Sequence, residues 1–103
     1  MILKFYEIAQ LTENDLGILL RQIDNNTLLV ALCNEENIVR PKMTQIFSNE
    51  GRRVFYNDLK KLAFPNIPSL RQQQKAQKKI VAIANLLSAQ GEISKPMRIK
   101  KAS

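Results

Sequence analysis

The stretch Ser69–Gly91, SLRQQQKAQKKIVAIANLLSAQG, decides the fold. Ser69 followed three residues later by Gln72 is a capping box. The hydroxyl accepts one of the free N–H groups at a helix start, and the amide reaches back to the cap. Gly91 is placed as the glycine that ends a helix in the left-handed region. Between them no residue breaks a helix, so one long helix runs to about Gln90. Its first half, Arg71–Lys79, is almost all Gln and Lys, and its second half is apolar at Ile80, Val81, Ile83, Ala84, Leu86 and Leu87. The spacing predicts a front end that projects over the surface and a back end that enters a core.

Upstream the texture is also helical. Thr12 with Asp15 marks a start, and Leu16, Leu19, Leu20 and Ile23 repeat at helical spacing. Asp24 caps a second helix, Asn25 to about Leu32, with Leu28, Leu29, Ala31 and Leu32 inward. Cys33–Asn37 reads as a polar turn. A third helix is expected from about Ile38 to Phe47, burying Val39, Met43, Ile46 and Phe47. Pro41 is tolerated there only in the first turn. Ser48 caps a fourth, about Asn49 to Leu62, which buries Val54, Phe55, Leu59 and Leu62. Its other face shows Glu50, Arg53, Asn57 and Lys60 at spacings of three and four, a continuous polar stripe. Two prolines make Ala63–Pro68 a loop. No strand pattern and no repeat of domain-repeat period is present. The expected architecture is all-α, a compact bundle of about six helices over residues 1–93, with a basic, flexible tail at 94–103.

Composition narrows the chemistry. The 103 residues hold no histidine, one cysteine and three scattered glycines. Zinc fingers, disulfide scaffolds, His-based triads and glycine-rich phosphate loops are thereby excluded. Cys33 has no histidine to activate it and sits at the end of an apolar helix, the place of a small buried hydrophobe. Glu35 and Glu36 are adjacent, so on a helix they point to different faces and could not share a substrate. The chain reads as a non-enzyme without cofactor or metal. No run approaches the length of a membrane span and no leader is visible, so a cytoplasmic protein is expected.

The net charge of +7 is unevenly placed. Residues 1–70 hold eight basic and eight acidic groups, whereas residues 71–103 hold eight basic groups against Glu92 alone. Such a segment attracts phosphate, anionic lipid or an acidic protein face, or is simply solvated. A nucleic-acid reader is disfavoured. Tyr6 and Tyr56 could stack on bases, but Phe55 belongs to the core, so no platform of successive aromatics forms. Weak, salt-sensitive attraction to DNA is all the basic residues predict.

Taken in order, the segments resemble the C-terminal domain of the flagellar motor switch protein family FliG, from about Ile2 to Ile93. FYEIAQLTENDLGILLRQID (Phe5–Asp24) is similar to the family's opening helix, acidic turn and LL-x-x-[IV]-D ending. NNTLLVALCNEE follows its D-x-x-x-L-x-x-AL pattern, and KMTQIFSN its K-[FI]-x-x-N-M-S-x segment. NDLKK (Asn57–Lys61) falls on a D-D-L element. QKKIVAIANLLSAQGEI (Gln77–Ile93) is similar to the Q-x-x-I-x-x-I-x-x-L-x-x-x-GEI ending. ILKF (Ile2–Phe5) sits at the M-F-V-F hinge motif, where Phe5 matches.

The resemblance implies a rotor component at the flagellar basal body, on the cytoplasmic face of the inner membrane. Its charged helix would meet the cytoplasmic loop of a MotA-like stator protein, and other rotor subunits would be partners. That helix maps onto Asn49–Leu62, so the implied stator-contact residues are Glu50, Arg53, Asn57, Asp58 and Lys60. The sequence departs from the family here. Glu50 stands where the family has arginine, Asn57 where it has the first of two aspartates, and Cys33 where it has a lysine. Asp58 matches, and its alternative role is a surface ion pair with Lys61. Two other functions stand beside this one: a FliG-like domain diverted to another assembly, and a small basic nucleic-acid-binding protein.

Overall fold

The computed structural model describes residues 1–34, 37–62 and 67–93. A short 3₁₀ helix, Phe5–Gln10, precedes five α-helices: α1 Glu13–Leu20, α2 Asn25–Ala31, α3 Val39–Gln45, α4 Asn49–Leu62 and α5 Leu70–Ala89. No strand occurs among the described residues, so the architecture is all-α as expected. The Glu35–Glu36 pair, most of the Ala63–Pro68 loop and the tail at 94–103 lie outside the described residues.

The sequence signals act as physical caps. Thr12 Oγ1 accepts the Asp15 N–H at 3.1 Å. Ser69 Oγ accepts from the Gln72 N–H at 3.1 Å, and Gln72 Oε1 accepts from the Ser69 N–H at 2.8 Å. At the other end of α5, Gly91 adopts φ 77°. Its N–H donates to the Ser88 carbonyl, and the Glu92 N–H donates to the Leu87 carbonyl. These two bonds form a Schellman closure, which satisfies carbonyls the helix leaves unpaired. Pro41 is the third residue of α3, inside the first turn, where its missing N–H removes no helical bond.

Asp24 is the cap with a pH signature. Its carboxylate accepts from the Thr27 hydroxyl at 2.6 Å and from the Thr27 N–H at 3.1 Å. These two bonds, the hydroxyl's first, hold the Asp24 carboxyl below its ordinary range. Its folded value thus lies below its unfolded one. The stabilisation is complete above the ordinary carboxylate range and is lost as the pH falls through the lowered value. We expect Asp24→Asn, which can still cap, to flatten the acid limb of a stability–pH profile measured by urea melts. An unchanged limb would remove Asp24 as its source.

The core forms where the inward stripes meet. Ile8, Leu16, Leu19, Leu28, Leu32, Val39, Met43, Phe55, Leu59, Ile80 and Ala84 share one buried cluster. The most extensive helix contact is α2 against α5. Gln77 reinforces it, donating from Nε2 to the Ala31 carbonyl at the end of α2 at 3.0 Å. The front of α5 therefore does not simply project: Gln73, Ala76 and Gln77 form a half-buried inner edge. The chain start is gripped by the same helix. Asn85 accepts from the Ile2 N–H at 2.7 Å and donates to the Ile2 carbonyl at 2.9 Å.

Of the apolar residues expected inward, Leu20 at the end of α1, Ile46, Phe47, Leu62, Val81 and Ile83 are half-buried and two are exposed. Val54 and Leu86 are 45% and 58% exposed. At 3.6 residues per turn, Val54 lies roughly 100° from Phe55 and Leu86 roughly 100° from Leu87, so each falls off the stripe its neighbour defines. The third helix is shorter than expected. Ile38 is exposed before it, and the Val39 N–H is capped by Asn37 Oδ1 at 2.9 Å.

Candidate functional site

The polar stripe lies on α4, and three devices fix its orientation. Ser48 Oγ accepts from the Gly51 N–H at 3.0 Å, which starts the helix. Glu50 in the first turn and Lys60 and Lys61 in the last complement the helix dipole. Phe55 and Leu59 anchor the inner face in the core. Phe55 packs edge-on to Phe47 and Tyr56, with ring centres 5.4 and 5.5 Å away.

The consecutive arginines then part company. Arg52 turns inward and caps the end of α3: Nε donates to the Thr44 carbonyl at 3.1 Å, and Nη2 lies 3.3 and 3.4 Å from the Gln45 and Phe47 carbonyls. A guanidinium there satisfies orphan carbonyls and meets the negative end of the helix dipole. Sequence reading missed this role, although a signal existed. Arg52 precedes Phe55 by three and Leu59 by seven, the spacing of the buried face.

Arg53 faces solvent, as do Glu50, Asn57 and Lys60, so the stripe is presented as the spacing implied. Its charges are partly spent on one another. Arg53 Nη2 lies 2.5 Å from Glu50 Oε2. An exposed pair of this kind contributes about 0–1 kcal/mol, but it neutralises the front of the stripe. Asn57 adds no charge and Lys60 adds one cation. Asp58 is half-buried on the flank, in a shallow recess with Asn25, Asn26, Leu29, Lys61 and Leu62. The Asp58–Lys61 ion pair weighed from the sequence is not formed.

Beside the stripe runs an apolar groove of about 480 Å³, lined by Leu20, Ile23, Leu28, Phe47, Val54 and Phe55. It explains where the displaced Leu20 and Val54 went: they form its walls. Phe5 opens the 3₁₀ helix and packs half-buried against the core. Tyr56 is not a free ring. It is half-buried, with the Arg40 guanidinium 5.2 Å from its centre. Tyr6 is exposed.

Burial pushes the Cys33 thiol up from its ordinary value, outweighing the lowering influence of Arg40, so it stays protonated at neutral pH. Among the described residues no cluster of Cys, Asp and Glu could hold a metal ion. Among them, too, no helix is long and apolar enough to cross a membrane.

Comparison with known proteins follows the same lines. The profile of the FliG C-terminal domain matches residues 1–94. Full-length FliG from Aquifex aeolicus is similar in structure, with a TM-score of 0.78 at 25% sequence identity over 86% of this chain. The match spans 27% of that longer protein. No curated protein matches.

Proposed function

Since this chain belongs to the FliG C-terminal domain family, we propose that it is a non-enzymatic rotor component of the bacterial flagellar motor switch. It would work on the cytoplasmic face of the inner membrane, against other rotor subunits and the loop of a MotA-like stator. The observation that carries this reading is the solvent-facing stripe Glu50, Arg53, Asn57 and Lys60 on an otherwise anchored α4. A contact that must form and release on every stator step is served by solvated charges, which steer without locking. The rigid anchoring by Phe55, Leu59 and Arg52 lets force on the stripe reach the core. Phe5 would occupy the hinge position, and 94–103 would be a basic tail outside the domain.

The Glu50–Arg53 pair and the neutral Asn57 support a second reading, a FliG-like domain in another assembly whose stripe no longer meets a stator. Rotation of tethered cells separates the two. The test is a rotor protein in which this domain replaces its own. We expect the chimera to turn at reduced torque. Glu50→Arg with Asn57→Asp should raise that torque, because the pair is broken and the carboxylate restored. The charge reversal Lys60→Glu, on an exposed position, should lower it. A chimera that does not respond to any of these changes would assign α4 to another partner.

A further inference from the structure

The outer face of α5 carries a second surface, which shares no residue with the α4 stripe. Arg71, Lys75, Lys78 and Lys79 are all exposed and fall within roughly a quarter-turn of one another at 3.6 residues per turn. Opposite them, Ile80, Ala84 and Leu87 are buried, so the cations stand at the centre of the solvent face. Along the same face the second half of the helix presents Ala82, Leu86 and Ala89, likewise exposed. Leu86 stands between two small residues, a knob that a neighbouring helix can approach closely.

This charge arrangement is not what stability alone favours. The first turn of a helix prefers carboxylates, yet α5 carries Arg71 at its second position and has no acid in its first turn. No acidic residue occurs anywhere in Leu70–Ala89. Of the four cations, only Lys79 has an acidic neighbour among the described residues, Asp24 at 3.9 Å. The face therefore projects a positive field, offset only by Asp24 beside Lys79, from its front half and an apolar surface from its back half.

We propose that this face docks an acidic amphipathic helix of a partner protein. Glu or Asp residues of that helix would oppose the four cations, and an apolar stretch would cover Leu86. The segregation of charge and apolarity end to end argues for a protein. A helix lying on a bilayer carries its apolar stripe along its whole length, with cations at the flanks. Here the cations point in the same direction as Leu86 and would be driven toward the acyl chains with it. A nucleic acid is anionic throughout and would leave Leu86 against phosphates. It would also find no aromatic on this face to stack upon. A helical partner can match each half separately, and complementary charge sets both its register and its encounter rate.

Fluorescence anisotropy with a designed probe tests this on the intact chain. The probe is a labelled peptide as long as α5, acidic at helical spacing in one half and with Leu and Ala on the same face of the other. A peptide of the same composition in scrambled order is the control. Vesicles rich in phosphatidylserine and a short DNA duplex are the rival ligands. We expect the ordered peptide to bind at least about tenfold more tightly than the scrambled one. Lys75→Glu with Lys78→Glu should weaken it by about tenfold or more, the effect of losing roughly 1.4 kcal/mol. Leu86→Glu should do so too, whereas Lys42→Glu on α3 should not. All these positions are exposed, and circular dichroism verifies that each variant folds. Equal binding of ordered and scrambled peptides, indifference to Leu86→Glu, or tighter binding to vesicles or DNA would overturn the proposal. None of these outcomes depends on the rotation assay.

Discussion

Replacing Leu32 with alanine is expected to destabilise the domain by about 2–5 kcal/mol, the range for emptying a well-packed leucine site. Leu32 is 0% exposed, at the end of α2 and in the same buried cluster as Ile80 and Ala84 of α5. Removing its isobutyl group loses the transfer free energy of the atoms and leaves a space that two packed helices cannot close without moving apart. Domains of this size have about 5–15 kcal/mol in total, so the variant forfeits a large share. Leu20→Ala is the internal comparison. Leu20 is half-buried on the wall of an open groove, where water can fill the space left behind. Its cost should be well below that of Leu32→Ala. Urea melts would read both, with an unchanged dependence on denaturant showing that only stability altered. A larger loss for Leu20 than for Leu32 would mean that α2 does not carry the core contact with α5.

The second large effect is expected at Asn85. One amide satisfies both backbone groups of Ile2, a residue 2% exposed and far away in the chain. Asn85→Ala strands a backbone donor and an acceptor, each in a site partly shut off from water. The cost should be about 1–3 kcal/mol, the penalty for an unsatisfied buried group. Its signature is local as well as global. Hydrogen exchange at the Ile2 amide should accelerate more than exchange in α2, because the start of the chain can lift away while α2 remains packed on α5. If Phe5 marks a hinge in the proposed rotor role, Asn85 is the clamp that holds the adjoining segment. Equal acceleration at Ile2 and throughout α2 would show that the amide supports the whole fold and clamps nothing locally.

Little of the candidate site could be read from single residues, and most of it from spacing. The stripe Glu50, Arg53, Asn57 and Lys60 was legible because polar residues at intervals of three and four share a helix face. Its electrostatic character was not. That Glu50 turns to Arg53 and Asp58 leaves Lys61 unpaired depends on side-chain rotamers, which no periodicity specifies. Arg52 was only counted among the basic groups and given no face, although its spacing from Phe55 and Leu59 marked the buried one. Charge suggested exposure, but the free carbonyls ending α3 outweighed it.

The sequence by itself determined the class of fold and the ends of most of its elements, α3 excepted. Caps are local chemistry: Thr12, Asp24, Ser69 with Gln72, and Gly91 each act within about four residues on orphan backbone groups, and each does so in the structure. Helical period likewise assigned Leu16, Leu19, Leu28, Leu32 and Ile80 to the core. Only tertiary structure decided the fate of residues at the edge of an apolar stripe. Val54, Leu20 and Leu86 are as apolar as their buried neighbours. Whether such an edge is covered depends on how close the next helix lies, and none among the described residues covers Val54 or Leu86. Pairings across long sequence distances, Asn85 with Ile2 and Gln77 with the Ala31 carbonyl, were equally beyond the sequence. A side-chain amide is compatible with many partners, and packing alone selects the one it meets.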